Sequence, residues 1–289
     1  MKDLKREDSL KRSTPFVGLS RRLTCIVEFA GEGSLVCDVG CDHAHVPIRL
    51  LQEGRFERAL GLDVLEGPLG KAAGNLELYN MTDRVELRLS DGLDAYRAGE
   101  ADTLVITGMG GSLMRDILMR EPEKTKSVPV LVLGPQSDPD RVRSSLRDLG
   151  FVITRERLVF EDGKYYPVLR AVSDQAAAAA PSETDIKRLP GKASDSEGDI
   201  DPLLLQETED LFGPVLLRRR DPVLAEYLSR RIPVLEKIRA SVSRASCDIL
   251  QSGKNKAAID TRYTAKLEEL DHSLALHRAA MAFFTRQQD

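Results

Sequence analysis

The stretch DVGCDHAHVP, Asp38 to Pro47, gathers two carboxylates, two imidazoles and a thiol in one short segment. Asp42 and His43 are neighbours, and together they can stabilise a developing positive charge or accept a proton. Cys41, His43 and His45 alternate, so an extended chain would place them on one side. A structural metal usually takes four ligands, however, and no second Cys/His cluster exists, His272 and His277 lying far along the chain. No metal is expected. Cys41 also lacks the context of a thiol nucleophile. Only Gly40 of the three glycines in a dinucleotide fingerprint is present, and no GxxxxGK[ST] loop occurs, which argues against phosphate-rich cofactors.

Four further points carry chemistry. Asp63 ends the second apolar run, at the spacing where an acidic residue accepts from two ribose hydroxyls. SDGL (Ser90–Leu93) follows a third run and offers Asp91 as an acceptor for an exocyclic amine. GMGG (Gly108–Gly111) lets backbone come close to a ligand beside the soft Met109 side chain, and GPQSD (Gly134–Asp138) brings Gln136 to the same rim.

Alternating elements must position these residues. Strands are predicted over Ser34–Val39, Arg58–Val64, Arg84–Leu89, Asp102–Gly108 and Val128–Gly134. Helices are expected over HVPIRLLQEG, GPLGKAAGNLELYN, Ser112–Arg120 and Pro139–Leu149. The pattern predicts an α/β parallel sheet covered on both faces, and ligands bind beyond the carboxyl ends of such strands. FVITRERLVFEDGKYYPVLRAV then signals a hairpin turning at Asp162-Gly163. A parallel Rossmann-like sheet that finishes in an antiparallel seventh strand resembles the class I methyltransferases, which use S-adenosyl-L-methionine. That cofactor carries no phosphate, so a loop with one glycine and a carboxylate suits its cationic groups.

Residues 174–201 are rich in Ala, Ser, Asp, Gly and Pro and carry a net charge of −4, which reads as a flexible acidic linker or insertion. Residues 202–289 are helical in pattern and net +2. Leu224, Leu228, Leu235, Ile238, Val242, Ala245 and Ile249 form one apolar stripe, and Tyr263, Leu267, Leu270, Leu274, His277, Met281 and Phe284 form another. The two predict an antiparallel coiled-coil hairpin, with Pro233 a point of kinking. The domain plan is therefore 1–173, linker 174–201 and helical domain 202–289. The chain's net charge of −4, its four cysteines without a Cys-x-x-Cys pair, and the absence of a long apolar run point to a globular protein of a reducing cytoplasm without a membrane span. Nothing fixes the oligomeric state; a monomer is the expectation.

LSRRL (Leu19–Leu23), DVGCDHAHVPI, DVLEGPL, RLSDGL, ITGMGG, LGPQSD and EDGKYYPV occur in an order that resembles the bacterial tRNA adenine-N1 methyltransferases acting at tRNA position 22. FGPVLLRRRDP and the helical hairpin extend that resemblance to the C-terminus. It implies a methyltransferase domain followed by a coiled coil. It also implies cofactor contacts from Gly40, Cys41, Asp42, His43, Asp63, Val64, Asp91, Gly92, Gly108, Met109 and Gly110, and a tRNA partner. Asp42 and His43 are then the catalytic candidates. The helical region offers phosphate contacts from Arg218, Arg219, Arg220, Arg230, Arg231, Lys237, Arg239, Lys254 and Lys256. The family often has Ser where Cys41 stands and an aromatic residue where His45 stands, and its linker is shorter. Two rival readings stay open: a class I methyltransferase acting on a protein or small molecule, and a non-catalytic RNA-binding scaffold.

Overall fold

The computed structural model describes residues 15–174, 201–252 and 256–285, with side chains between 248 and 261 left out. The strands are β1 (Gly33–Val39), β2 (Phe56–Asp63), β3 (Val85–Leu89), β4 (Thr103–Thr107), β5 (Val130–Gly134), β6 (Phe151–Glu161) and β7 (Lys164–Ser173). They form one sheet in the order β3-β2-β1-β4-β5-β7-β6. The first five run parallel, whereas β7 is antiparallel to both β5 and β6. Strand β1 pairs with both β2 and β4, so the chain reverses its winding there and leaves a crevice at the carboxyl ends of β1 and β4.

Side chains one residue apart in a strand point to opposite faces, which explains why the central runs are apolar throughout. Val36, Val105, Val132 and Val168 pack with α1 (Arg21–Ala30), α2 (His45–Gln52) and α3 (Glu66–Leu78). Cys37, Leu104, Ile106 and Leu131 pack on the other face with α4 (Gly111–Arg120) and α6 (Pro139–Asp148), α5 (Pro122–Lys126) being a short connector. Sequence patterning did not anticipate α1. Its N-cap Ser20 accepts from the Leu23 N–H, and Cys25, Ile26 and Phe29 are buried.

Beyond the sheet lie α7 (Pro202–Phe212), α8 (Pro214–Arg218), α9 (Pro222–Ser252) and α10 (Lys256–Thr285). Helices α9 and α10 pack antiparallel: Leu228, Leu276 and Ala280 share one apolar cluster, and Leu235, Leu270 and Leu274 another. Pro233 sits inside α9 without ending it. Ile238 departs from the expected stripe and is 40 % exposed. A straight helix drifts from a seven-residue repeat, and beside Ile238 the Arg239–Asp271 ion pair joins the two helices instead. Among the described residues no helix is long and apolar enough to cross a membrane. The anticipated linker falls, apart from its end residues, outside the described residues.

One buried ion pair fastens the helices to the sheet. Arg143 of α6 and Glu156 of β6 meet at 2.8 Å with side chains 2 % and 1 % exposed. Arg143 Nη1 also donates to the carbonyls of Asp210 and Leu211, and Glu156 Oε2 accepts from the Val215 N–H.

Candidate active site

The loop after β1 turns tightly rather than extending. Gly40, Asp42 and Ala44 all have positive φ (73°, 44° and 55°), and the Gly40 and Cys41 N–H groups donate to the Leu62 carbonyl. His43 and His45 therefore meet through the turn into α2, their rings stacked at 5.4 Å. Asn75 of α3 donates to the His43 carbonyl and lies 3.4 Å from His45 Nε2. Burial, then the neighbouring His43, lowers the His45 pKa. Cys41 packs against Gly61, and burial pushes its thiol up, away from thiolate chemistry. Among the described residues no cluster of His, Cys, Asp and Glu could hold a metal.

Asp42 and His43 remain at the surface, their side chains 58 % and 41 % exposed and 3.4 Å apart. That separation exceeds a strong hydrogen bond, so neither group is consumed by the other. Beneath them Asp63 is buried and organises the rim: Oδ2 accepts from the Asp42 N–H and Oδ1 from the Leu65 N–H. Each oxygen keeps a second lone pair for a ligand hydroxyl. Val64 and Leu65 expose apolar side chains next to it.

Asp38 was not singled out by sequence, because it reads as part of an apolar strand. It is 3 % exposed, and its Oδ1 meets no hydrogen-bond partner among the described residues. Burial, then the charge of Asp63, pushes its carboxyl up to about 7. A buried carboxyl in an otherwise apolar run is itself the informative signal. Two carboxyls that repel each other favour a cationic ligand, which would relieve their repulsion. Asp38 keeps its proton longer folded than unfolded, so this contribution to stability is full below about pH 4 and lost as pH rises through about 7. Urea midpoints across that window should therefore fall more steeply for the wild type than for Asp38→Asn; parallel profiles would refute the assignment.

The remaining rim is closed by backbone contacts. Gly108 has φ 84°, Met109 is half-buried, and the Met109 carbonyl accepts from the Gln136 N–H. Gly111 donates to the Ser137 carbonyl, and a Cβ there would stand 2.3 Å from the Asp138 carbonyl oxygen, so only glycine fits. Gly92 (φ 59°) follows Asp91, whose carboxylate is already held by Arg120 Nη1 at 2.9 Å and kept below the usual range by it. Any amine reaching Asp91 shares it with Arg120.

A family model described as a methyltransferase domain matches residues 19–169. The chain belongs to that methyltransferase family. The methyltransferase is 26 % identical over 254 residues to the tRNA (adenine(22)-N(1))-methyltransferase of Bacillus subtilis, covering 88 % of this chain and 98 % of the relative. The solved structure of the B. subtilis m1A22 tRNA methyltransferase TrmK aligns over 92 % of this chain and 99 % of that one, with TM-score 0.71 and 25 % identity. A putative tRNA (m1A22) methyltransferase of Streptococcus pneumoniae, solved in complex with S-adenosyl-L-methionine, covers 91 % and 100 % with TM-score 0.68 at 25 % identity. The sheet order and antiparallel last strand are those of the class I methyltransferase fold.

The helical region of the methyltransferase sorts its basic residues by partner. Arg218 pairs with Glu209, Arg230 with Glu226 and Arg239 with Asp271. Arg219, Arg220, Arg231 and Lys237 are exposed, with no carboxylate within 4.0 Å among the described residues. Lys254 lies outside the described residues, and the Lys256 side chain is outside them too.

Proposed function

We propose that the protein transfers a methyl group from S-adenosyl-L-methionine to N1 of adenosine 22 in tRNA. The observation that carries this reading is similarity along almost the whole of the B. subtilis tRNA (adenine(22)-N(1))-methyltransferase, including the helices beyond the sheet. The mutually repelling carboxyls of Asp38 and Asp63 fit a cationic nucleoside cofactor, and the absence of a phosphate loop fits one without phosphates.

When bound, S-adenosyl-L-methionine supplies an electrophilic methyl group on a sulfonium centre. Asp63 would accept from its ribose hydroxyls, with Gly40, Cys41, Asp42 and His43 as the loop around it. Val64 and Leu65 would flank the adenine, and Asp91 and Gly92 would meet its edge. Gly108, Met109 and Gly110 line the reaction face. Adenine N1 already has a lone pair, so orientation and exclusion of water matter more than a strong base. N1 is hidden in a paired or stacked base, so the target must be turned out. The adenine becomes positive as it is methylated, and Asp42 would stabilise that charge or accept the N6 proton, with His43 beside it. Asp42→Asn is expected to lower kcat by about a hundredfold while calorimetric cofactor affinity stays within a few-fold. Equal losses in both would make Asp42 a cofactor ligand alone.

The domain plan is a methyltransferase unit through residue 173 and a helical unit from 202, the latter a coiled coil that grips tRNA; the enzyme acts as a cytoplasmic monomer. Arg219, Arg220, Arg231 and Lys237 supply phosphate contacts. Each charge removed should lower the salt dependence of tRNA binding by about one phosphate contact; a wild-type affinity indifferent to salt would rule out that grip. The deciding experiment is incubation with unmodified tRNA and S-adenosyl-L-methionine, followed by nucleoside mass spectrometry and mapping of the modified position. Methylation of protein fractions but not tRNA would overturn the reading.

A further inference from the structure

On the reading proposed above, the cofactor would lie over β1, β2 and β3, where Asp63 ends β2 and Asp91 follows β3. An acceptor must therefore approach over β4, β5 and β7. Thr107 is the last residue of β4, directly before Gly108. Its Oγ1 accepts from Arg22 Nη1 at 3.1 Å, and the Arg22 guanidinium carbon lies 5.2 Å from the centre of the Tyr166 ring. The Arg22 backbone N–H donates to Glu161 Oε1, which pins the start of α1 to the end of β6.

The guanidinium itself has no carboxylate within 4.0 Å among the described residues, although Arg49, Arg88, Arg120 and Arg143 are all ion-paired. A half-buried cation is thus held by a hydroxyl and an aromatic face, with donors unspent among the described residues, at the side from which substrate must arrive. It does not suit the reacting base. The sulfonium is positive, and the adenine becomes positive during transfer, so a guanidinium on the ring would oppose the reaction. The anionic part of the nucleotide is its phosphodiester, whose two oxygens match the guanidinium fork.

Resting on the tRNA-methylation reading, we propose that Arg22 clamps a phosphodiester next to the target adenosine, with Thr107 and Tyr166 as the positioning residues that aim it. Turning a base out of its stack needs a grip on the adjoining backbone, and this clamp provides it beside the transfer site.

The test compares wild type, Arg22→Gln and Arg22→Lys on unmodified tRNA and on tRNAs carrying one neutral methylphosphonate linkage 5′ or 3′ of adenosine 22. Arg22→Gln should lower kcat/KM for ordinary tRNA by about tenfold to a hundredfold, with calorimetric S-adenosyl-L-methionine affinity and thermal midpoint kept. Arg22→Lys should recover part of the loss, since it restores charge without the fork. One of the two neutral linkages should bring the wild type down to the Arg22→Gln level and cost Arg22→Gln nothing more. Unchanged kcat/KM in Arg22→Gln, or losses that multiply with both linkages, would overturn the clamp. A wild type that forms no 1-methyladenosine at position 22 would instead overturn the function on which it rests.

Discussion

Glu156→Ala is expected to destabilise the protein by about 3–5 kcal/mol, the cost of stripping one partner from a buried ion pair. Glu156 Oε1 accepts from Arg143 Nε and Oε2 from the Val215 N–H, both at 2.8 Å. Truncation would leave a guanidinium that is 2 % exposed facing a void and an N–H without its acceptor. The Arg143 bonds to the Asp210 and Leu211 carbonyls would remain, but they do not neutralise its charge. The effect should fall on the attachment of α7 and α8 to the sheet, because the pair joins α6 and β6 to the turn between them. Gly213 lies in that turn with φ 97°, and a Cβ there would stand 2.6 Å from Glu156 Oε2. Urea denaturation followed by circular dichroism reads the loss. The double variant Arg143→Met/Glu156→Leu should recover much of it, since an apolar pair of similar size carries no buried charge. A Glu156→Ala midpoint equal to wild type would refute the anchor.

The sheet was legible because its strands are short apolar runs separated by amphipathic helices, and each predicted strand lies within two residues of the observed one at either end. Asp63 was legible for the same reason: a carboxylate that ends an apolar run must stand at the rim. Helix α1 was not, since its apolar residues lead directly toward β1 and no loop signal divides the two beyond Gly31 and Gly33. Asp38 was hidden because a pattern of types cannot show that one acid in a buried strand lacks a partner. Arg22 was hidden for the converse reason. Among the described residues it has no carboxylate partner, which a sequence cannot show, whereas Arg218, Arg230 and Arg239 prove to be ion-paired. The expectation that an extended chain would place Cys41, His43 and His45 on one side gave way to a turn, because Asp42 and Ala44 take positive φ.

Asp63→Ala should abolish measurable methylation and weaken S-adenosyl-L-methionine binding by about a hundredfold or more, because several charge-assisted hydrogen bonds of about 1.5–3 kcal/mol each are lost together. The carboxylate holds the Asp42 N–H at 3.2 Å and the Leu65 N–H at 3.1 Å, so its loss frees both sides of the crevice at once. Asp63→Asn separates the contributions. It keeps a carbonyl oxygen for one backbone donor and nearly the same volume, so the fold should persist, yet it removes an acceptor oxygen and the negative charge. That charge helps push Asp38 up to about 7. Without it the Asp38 carboxyl ionises at lower pH, and the stability lost on raising pH is lost earlier and in smaller amount. Calorimetry of cofactor binding across pH 5–9, with urea midpoints over the same range, reads both effects. Wild-type affinity in Asp63→Asn would remove the carboxylate from cofactor recognition. An unchanged pH profile of stability would remove its coupling to Asp38 and leave burial as the sole cause of that shift.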